Sequence, residues 1–451
     1  MKNRTWGVLA LCLSLTLVSL DAAAQEAPAA STPGVAGHLS GFWDEFNQVW
    51  SHSDYERFRL EYENDTFYNT DRNYTDGIRM TLKRGSGKAT SYDPDKNGLI
   101  PPLNTESEKG DCDAPEKPAD DNTPGAKPNP AKATKAHEDL PCYRAAYSMV
   151  LGQNMYTASD IRLKPDQIPA KDHPYGAWLY VGLHREVYTS DERYWQYGFD
   201  VGCIGPCALG QPAQNFIHKY ITDSPSPQGW GSQIHNELGV EFRYEHAWRA
   251  FRYVLGRRDG EALHLGRSYA GAPLAFDLRP SVSFGLGNIQ TYGGFGATAR
   301  FGWFRSTYET MRLDTHPIES LAQDDHAQPE AADGATADAP KLATARRETG
   351  RAASGDSGGS WVSKTELFGF TRVNADLVAY NAMLQGGLFN TSSPKTVGAR
   401  PYIAEYELGV AAAYGQFSMS VSTITRHEWD TAGFRYGQHF GRIAVEFATH
   451  F

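Results

Sequence analysis

The stretch Ile443-Ala444-Val445-Glu446-Phe447-Ala448-Thr449-His450-Phe451 decides the fold class. Ile443, Val445, Phe447, Thr449 and Phe451 fall on one face at a period of two, the spacing of a β-strand. The same alternation recurs upstream. From Arg193, Trp195, Tyr197, Phe199 and Val201 oppose Gln196, Gly198, Asp200 and Gly202. Phe417, Met419 and Val421 alternate with Ser418, Ser420 and Ser422, and Leu179, Val181 and Leu183 repeat the pattern. Each run has about the length of a tilted membrane-spanning strand, roughly 9–11 residues. A soluble β-sandwich would show such alternation too, so the closing aromatic residue shifts the balance.

A last strand that ends in phenylalanine looks like the assembly signal of bacterial outer-membrane barrels. The 44 Gly, 24 Tyr, 21 Phe and 10 Trp suit tight luminal packing and interfacial aromatic girdles. The expected fold is therefore all-β, an antiparallel transmembrane β-barrel. Alternating runs number about twelve and begin near residues 57, 74, 143, 176, 192, 236, 275, 293, 362, 399, 415 and 436. With both termini in the periplasm, residues 66–73, 157–175 and 205–235 connect strands on the outside. Residues 86–141, rich in Pro, Lys, Asp and Glu, and 315–360, rich in Ala, Asp, Gly and Thr, read as inserted loops on the periplasmic side. Residues 25–40 read as a small-residue linker, and Phe42 to Trp50 as a short amphipathic helix, so the barrel domain spans 51–451.

The N-terminus fits export. Lys2 and Arg4 precede an apolar run from Trp6 to Leu20, and Ala22 and Ala24 stand before Gln25, the pattern of a signal peptide over residues 1–24. Cys12 would leave with it. Of the remaining four, Cys112 is expected to pair with Cys142 and Cys203 with Cys207; Cys-Ile-Gly-Pro-Cys could also serve redox or metal chemistry. A net charge of −10 argues against a general nucleic-acid binder. The mean hydropathy of −0.51 is compatible with a barrel, since half of each strand faces a polar lumen.

Three segments carry candidate chemistry, and the expected topology brings all three to the outer rim. The first is Glu63-Asn64-Asp65-Thr66-Phe67 with Tyr74-Thr75-Asp76-Gly77. The second runs from Gly152-Gln153-Asn154 to Asp172-His173-Pro174-Tyr175-Gly176. The third is Gly210-Gln211-Pro212-Ala213-Gln214-Asn215-Phe216-Ile217-His218, followed by Trp230, Gln233 and Asn236. In this order and spacing they resemble the outer-membrane lipid A deacylase family, LpxR, over most of residues 57–250. The resemblance implies hydrolysis of a 3′-linked acyl or acyloxyacyl ester of lipopolysaccharide, with lipid A as substrate and calcium as cofactor. Catalytic roles carry over to His218, Gln214, Asn64, Asp65 and Thr75, with Asp65 also the metal ligand. Lys164 stands beside the position of the family's lysine.

Elementary chemistry gives each residue its expected part. Gln214 and His218 are four apart and share a helical face. A glutamine oxygen on one imidazole nitrogen would fix the tautomer and leave the other as a base. Asp65 suits a hard cation. Alternation puts Asp65 with Arg57, Arg59, Glu61 and Glu63, and Thr75 with Arg79, Thr81 and Lys83, so both are expected to look into the barrel mouth. Asn64 alternates to the opposite face, and service as an oxyanion donor requires a bulge or a strand end there.

Plainer readings stand beside these. Asn-Asp at a strand end is commonly a turn signal. A histidine on a loop helix is commonly solvated, and His235 with Glu237 reads better as structure than as a metal pair. Arg162, Lys164, Lys171 and His173 form a basic outer loop able to attract phosphates. An outer-membrane phospholipase and a porin-like barrel are the competing functions. The protein is expected to be a monomer.

Overall fold

The computed structural model describes residues 35–68, 72–85, 90–92, 100–103, 142–189, 191–222, 224–255, 257–258, 261–262, 274–304, 366–429 and 438–450. Twelve long strands form one antiparallel ring: β1 (Tyr55–Asn64), β2 (Asn73–Gly85), β3 (Cys142–Thr157), β4 (Gly176–Thr189), β5 (Arg193–Ile204), β6 (Glu237–Trp248), β7 (Leu274–Gly287), β8 (Gln290–Trp303), β9 (Glu366–Asn381), β10 (Ala399–Tyr414), β11 (Phe417–Trp429) and β12 (Gln438–His450). Each pairs with its sequence neighbours, and β12 pairs with β1 from Tyr55↔His450 to Asn64↔Gly441, so no edge is left open. The strand starts expected from alternation all lie within four residues of these.

Burial alternates along much of the wall and separates two faces, with unbroken buried runs where other segments cover a strand, as at 184–189. The outer face exposes Phe58, Met149, Val181, Phe199, Leu408, Val421 and Phe447. The luminal face carries paired charges: Arg57–Glu446 at 3.2 Å, Lys83–Glu186 at 2.7 Å and Arg372–Glu407 at 2.8 Å, all buried. Removing one partner from such a pair costs about 3–5 kcal/mol, because the other charge is stranded in a low dielectric. The lumen also holds a cavity of about 260 Å³ lined by Glu63, Arg79, His184, Arg243, Glu405 and Arg442.

Toward the outer rim the lumen turns apolar. Tyr74, Tyr156, Trp178, Tyr180, Ile234, Ile289, Met383 and Phe440 pack into one buried cluster. A short helix, α3 (Ala382–Gln385), delivers Met383 into it, capped by Asn381, whose side chain accepts from Met383 N–H. Tyr74, Tyr156, Trp178, Tyr180, Ile289 and Met383 of this cluster also line the cavity at its outer end.

At the periplasmic rim, helix α1 (Val35–Ser51) lies on the outside of the wall. Its Glu45 accepts from Arg185 at 2.6 Å and from the Tyr147 hydroxyl at 2.7 Å; both partners point outward from β4 and β3. The expected helix at Phe42 to Trp50 is thus the C-terminal part of α1. The long connections β2–β3 and β8–β9 leave from this same rim. Most of the two insertions, the signal peptide, the linker up to residue 34 and Cys112 lie outside the described residues. Cys142 is disulfide-bonded.

Candidate active site on the outer wall

The β5–β6 connection builds the site. At the end of β5, Gly205 adopts φ +87°, a conformation glycine tolerates, and its N–H reaches Ala177 O at 3.1 Å. A disulfide joins Cys203 to Cys207, as expected, and Cys207 N–H donates to Asn236 Oδ1 at 2.8 Å. The chain reverses through Leu209, φ +57°, into helix α2 (Gly210–Ile217), which runs on into a π-turn over His218–Thr222. π-turns cluster at functional sites.

The wall beneath α2 is the outer one. Met155 of β3, Ala177 and Leu179 of β4 and Cys203 of β5 pack with Ala208, Ala213, Ile217 and Trp230. Gly210, Gln214 and His218, one turn apart, form the buried face of the helix. A Cβ on Gly210 would lie 2.5 Å from the Trp230 ring and 2.6 Å from Ala177 Cβ, so only glycine lets the helix approach this closely.

The tautomer of His218 is fixed, but not by Gln214. His218 Nδ1 lies 2.7 Å from Pro225 O. A carbonyl only accepts, so Nδ1 carries the proton and Nε2 is the basic nitrogen. Gln214 Oε1 instead accepts from Trp230 Nε1 at 2.9 Å. Gln214 Nε2, buried, has no hydrogen-bond partner among the described residues. Sequence spacing pointed to the pair correctly and to their mutual bond wrongly: a loop carbonyl and a tryptophan seven and sixteen residues away compete better. Pro225 had no signal beyond lying in a Pro-rich loop.

The end of β1 corrects the expected orientation of Thr75. A bulge interrupts the β2–β3 pairing between Tyr74 and Asp76. Tyr74 takes the luminal position, its hydroxyl bonded to Glu63, and Thr75 becomes the extra residue. Thr75 Oγ1 lies 3.4 Å from Met155 O, the residue whose side chain supports α2. Asp65 is not a strand residue either. It opens a 3-10 turn over Asp65–Tyr68, and its Oδ2 accepts from Arg72 N–H at 2.7 Å. Asn64 stays on the outward face: Nδ2 donates to Tyr62 Oη at 2.9 Å and Oδ1 accepts from Thr66 N–H at 2.7 Å. Its amide oxygen is thereby engaged by the turn and one of its two N–H groups by Tyr62 of β1. Asn64 therefore stays on the outward face, and the bulge takes Thr75 out of the luminal alternation.

The β3–β4 loop borders the same floor. Leu163 packs against it, and Lys164 beside it is exposed, its N–H held by Gln167 Oε1 at 3.0 Å. Asp160 accepts from Arg162, which lowers its pKa. His173 is buried, stacked on Tyr156, with Nδ1 2.7 Å from Pro174 O. Burial pulls its pKa down from 6.5 to about 4. His235 and Glu237 do not form a metal pair: Glu237 accepts from the N–H groups of Leu388, Phe389 and Asn390 and pins that loop over the rim. Among the described residues no group of three His, Cys, Asp or Glu side chains converges.

The sequence matches the family described as "Outer membrane protein LpxR" over residues 9–449. The chain belongs to the LpxR family. Among solved structures, LpxR from Salmonella typhimurium is similar, with 18% identity, a TM-score of 0.51, and coverage of 87% of this chain and 99% of that one. At that identity the likeness shows the fold, the closed twelve-strand barrel of an outer-membrane LpxR protein. The β domain of the Bordetella autotransporter BrkA (9% identity, TM-score 0.32, 88% and 98% covered) is a looser match. No curated protein matches by sequence. LpxR membership places the barrel in the outer membrane.

Proposed function

We propose that this LpxR-family barrel hydrolyses the 3′-linked acyl or acyloxyacyl ester of lipid A, with His218 as general base. Deacylation of lipid A at the outer membrane is the activity that goes with the family; the ester position and the residue roles are our reading. The carrying observation is the Nδ1 bond of His218 to Pro225 O, which leaves Nε2 basic on the helix face turned to the outer wall. Nε2 takes a proton from water as the oxygen attacks the ester carbonyl. The resulting oxyanion needs donors already in place. The buried amide of Gln214, one turn before His218, is the better placed donor, since the Asn64 amide is held by Tyr62 and Thr66. Collapse of the intermediate expels the sugar oxygen, which recovers the proton from His218, and yields a free hydroxyl and a carboxylic acid that releases its remaining proton to water. Thr75 and Lys164 complete the rim of the site.

The donor set near Asp65 fits a hard cation held weakly, because Asp65 brings a single buried carboxylate and backbone oxygens must fill the shell. Calcium, when bound there, would supply positive charge to the oxyanion. Mass spectrometry of lipid A from cells making the wild-type chain or His218→Ala tests the reading. A loss of the 3′-linked acyl mass that disappears in the variant supports it. Unchanged lipid A with a folded wild-type barrel and calcium present would refute it.

A further inference from the structure

The lipid-facing surface of the barrel is not equally deep on all sides. On β10 none of the outward residues from Tyr402 to Tyr414 is buried, and the two tyrosines at its ends are 70% and 75% exposed. At about 3.3 Å per residue and a tilt of about 40°, that stretch spans roughly 30 Å, the thickness of a bilayer core. On β3 only Met149 and Leu151 are exposed. Toward the outer rim, Gln153 and Met155 lie beneath Ala208 and α2. Toward the periplasm, Tyr147 lies under α1 and Tyr143 under Tyr92. Two residues cannot make a membrane band, so the segments that cover this side must complete it.

Over Ser40–Ser51, helix α1 has three distinct faces. Glu45 and Val49 are buried against the wall, and the Phe42 ring stands 5.3 Å from that of Tyr147. Glu45 accepts from Arg185 Nε at 2.6 Å and Nη2 at 2.9 Å, while Pro101 O and Pro102 O accept the other guanidinium N–H groups. An arginine that points out of the barrel is thereby neutralised and kept from lipid. Trp43, Phe46 and Trp50, at spacings of three and four, form a second stripe with ring centroids 5.6 Å and 5.3 Å apart. Trp43 is 50% exposed. Asp44, Asn47, Gln48 and Ser51 form a third stripe, polar and exposed. Protein, apolar and aqueous surroundings each find a matching face.

Strand register gives the level of this helix. Met149, Leu82, Phe58 and Phe447 pair in one outward row, and Tyr147, Arg84 and Glu56 form the next row toward the periplasm. The two rows are about 7 Å apart along the strand. Helix α1 therefore meets the wall at the lower border of the lipid-facing band, the depth at which tryptophan is enriched in membrane proteins. Arg84, paired with Glu56, also lies there, its Cζ 5.0 Å from the Trp50 ring.

We propose that α1 is a phospholipid-binding helix, with its Trp43–Phe46–Trp50 stripe seated in the inner leaflet of the outer membrane. It supplies the lower part of the lipid-facing surface over β3 and β4. The occupant is a zwitterionic phospholipid surface: Ser40–Ser51 carries Asp44 and Glu45 and no Lys or Arg, so aromatic contact holds the helix, not attraction to anionic headgroups. This seating does not depend on ester chemistry at His218.

The test uses the full chain, disulfides intact, reconstituted in phosphatidylcholine vesicles with a spin label at W43C or at Q48C. Collisions with oxygen should exceed those with a nickel chelate at 43, the order should reverse at 48, and high salt should change neither. Nickel-preferred collisions at 43, or the same order at both positions, would overturn the proposal. So would shielding of 43 from both reagents, the mark of a protein partner such as a second copy, or release by salt. A second measurement leaves Phe46 and Trp50 in place and needs no label. Vesicles of phosphatidylcholine brominated high on its acyl chains should quench wild-type tryptophan emission more than that of Trp43→Phe. Equal fractional quenching of the two would equally overturn the seating.

Discussion

Gly210→Ala should slow deacylation without disturbing the barrel. The added Cβ would lie 2.5 Å from the Trp230 ring and 2.6 Å from Ala177 Cβ, where ordinary contact begins at 3.4 Å. Neither neighbour can yield. Ala177 is fixed on β4, and Trp230 is buried and tied through Nε1 to Gln214. Helix α2 must lift by roughly 1 Å, an overpacking cost of about 1–3 kcal/mol. The barrel itself is held by twelve paired strands and should assemble normally. His218 and Gln214 ride on the lifted helix, and a displacement of about 1 Å at a catalytic group costs on the order of 10²-fold in rate. The assay is the time course of lipid A deacylation by mass spectrometry, with heat-modifiable migration on gels to confirm the folded barrel. Gly398→Ala, whose Cβ would meet nothing within 4 Å, is the matched control and should behave as wild type. A wild-type rate for Gly210→Ala would refute the close seating of α2 as the device that positions His218.

Two further outcomes rest on the burial of His173 and on the luminal apolar cluster. His173 has a folded-state pKa of about 4 against 6.5 unfolded, so it is neutral when folded and its contribution is complete above pH 6.5. That contribution falls as pH drops from 6.5 toward 4, by about 3 kcal/mol in all. Hydrogen exchange in residues 158–175 should accelerate over that window and lose the acid response in His173→Phe; the same slope in the variant would exclude His173 as its source. The apolar cluster of Trp178 and Met383 should block steady conductance in planar bilayers, whereas Trp178→Ala/Met383→Ala should open a pore; an open wild-type pore would revive the porin reading.

The sequence by itself determined the strands, because alternation is a local property and every barrel strand must present one face to lipid and one to the lumen. It placed the starts of all twelve within four residues and put the β1–β2, β3–β4 and β5–β6 connections at one rim. It also singled out Gln214 and His218 as one helical face. Only the tertiary structure decided which side of the wall that face meets. A single bulged residue after Tyr74 moved Thr75 off the luminal face, and no period-two pattern can register an insertion of one. The partners of Gln214 and His218 were likewise undecided by spacing. Trp230 and Pro225 O reach them only because the loop after α2 folds back over the helix, and hydrogen bonds go to the group that tertiary packing brings within reach.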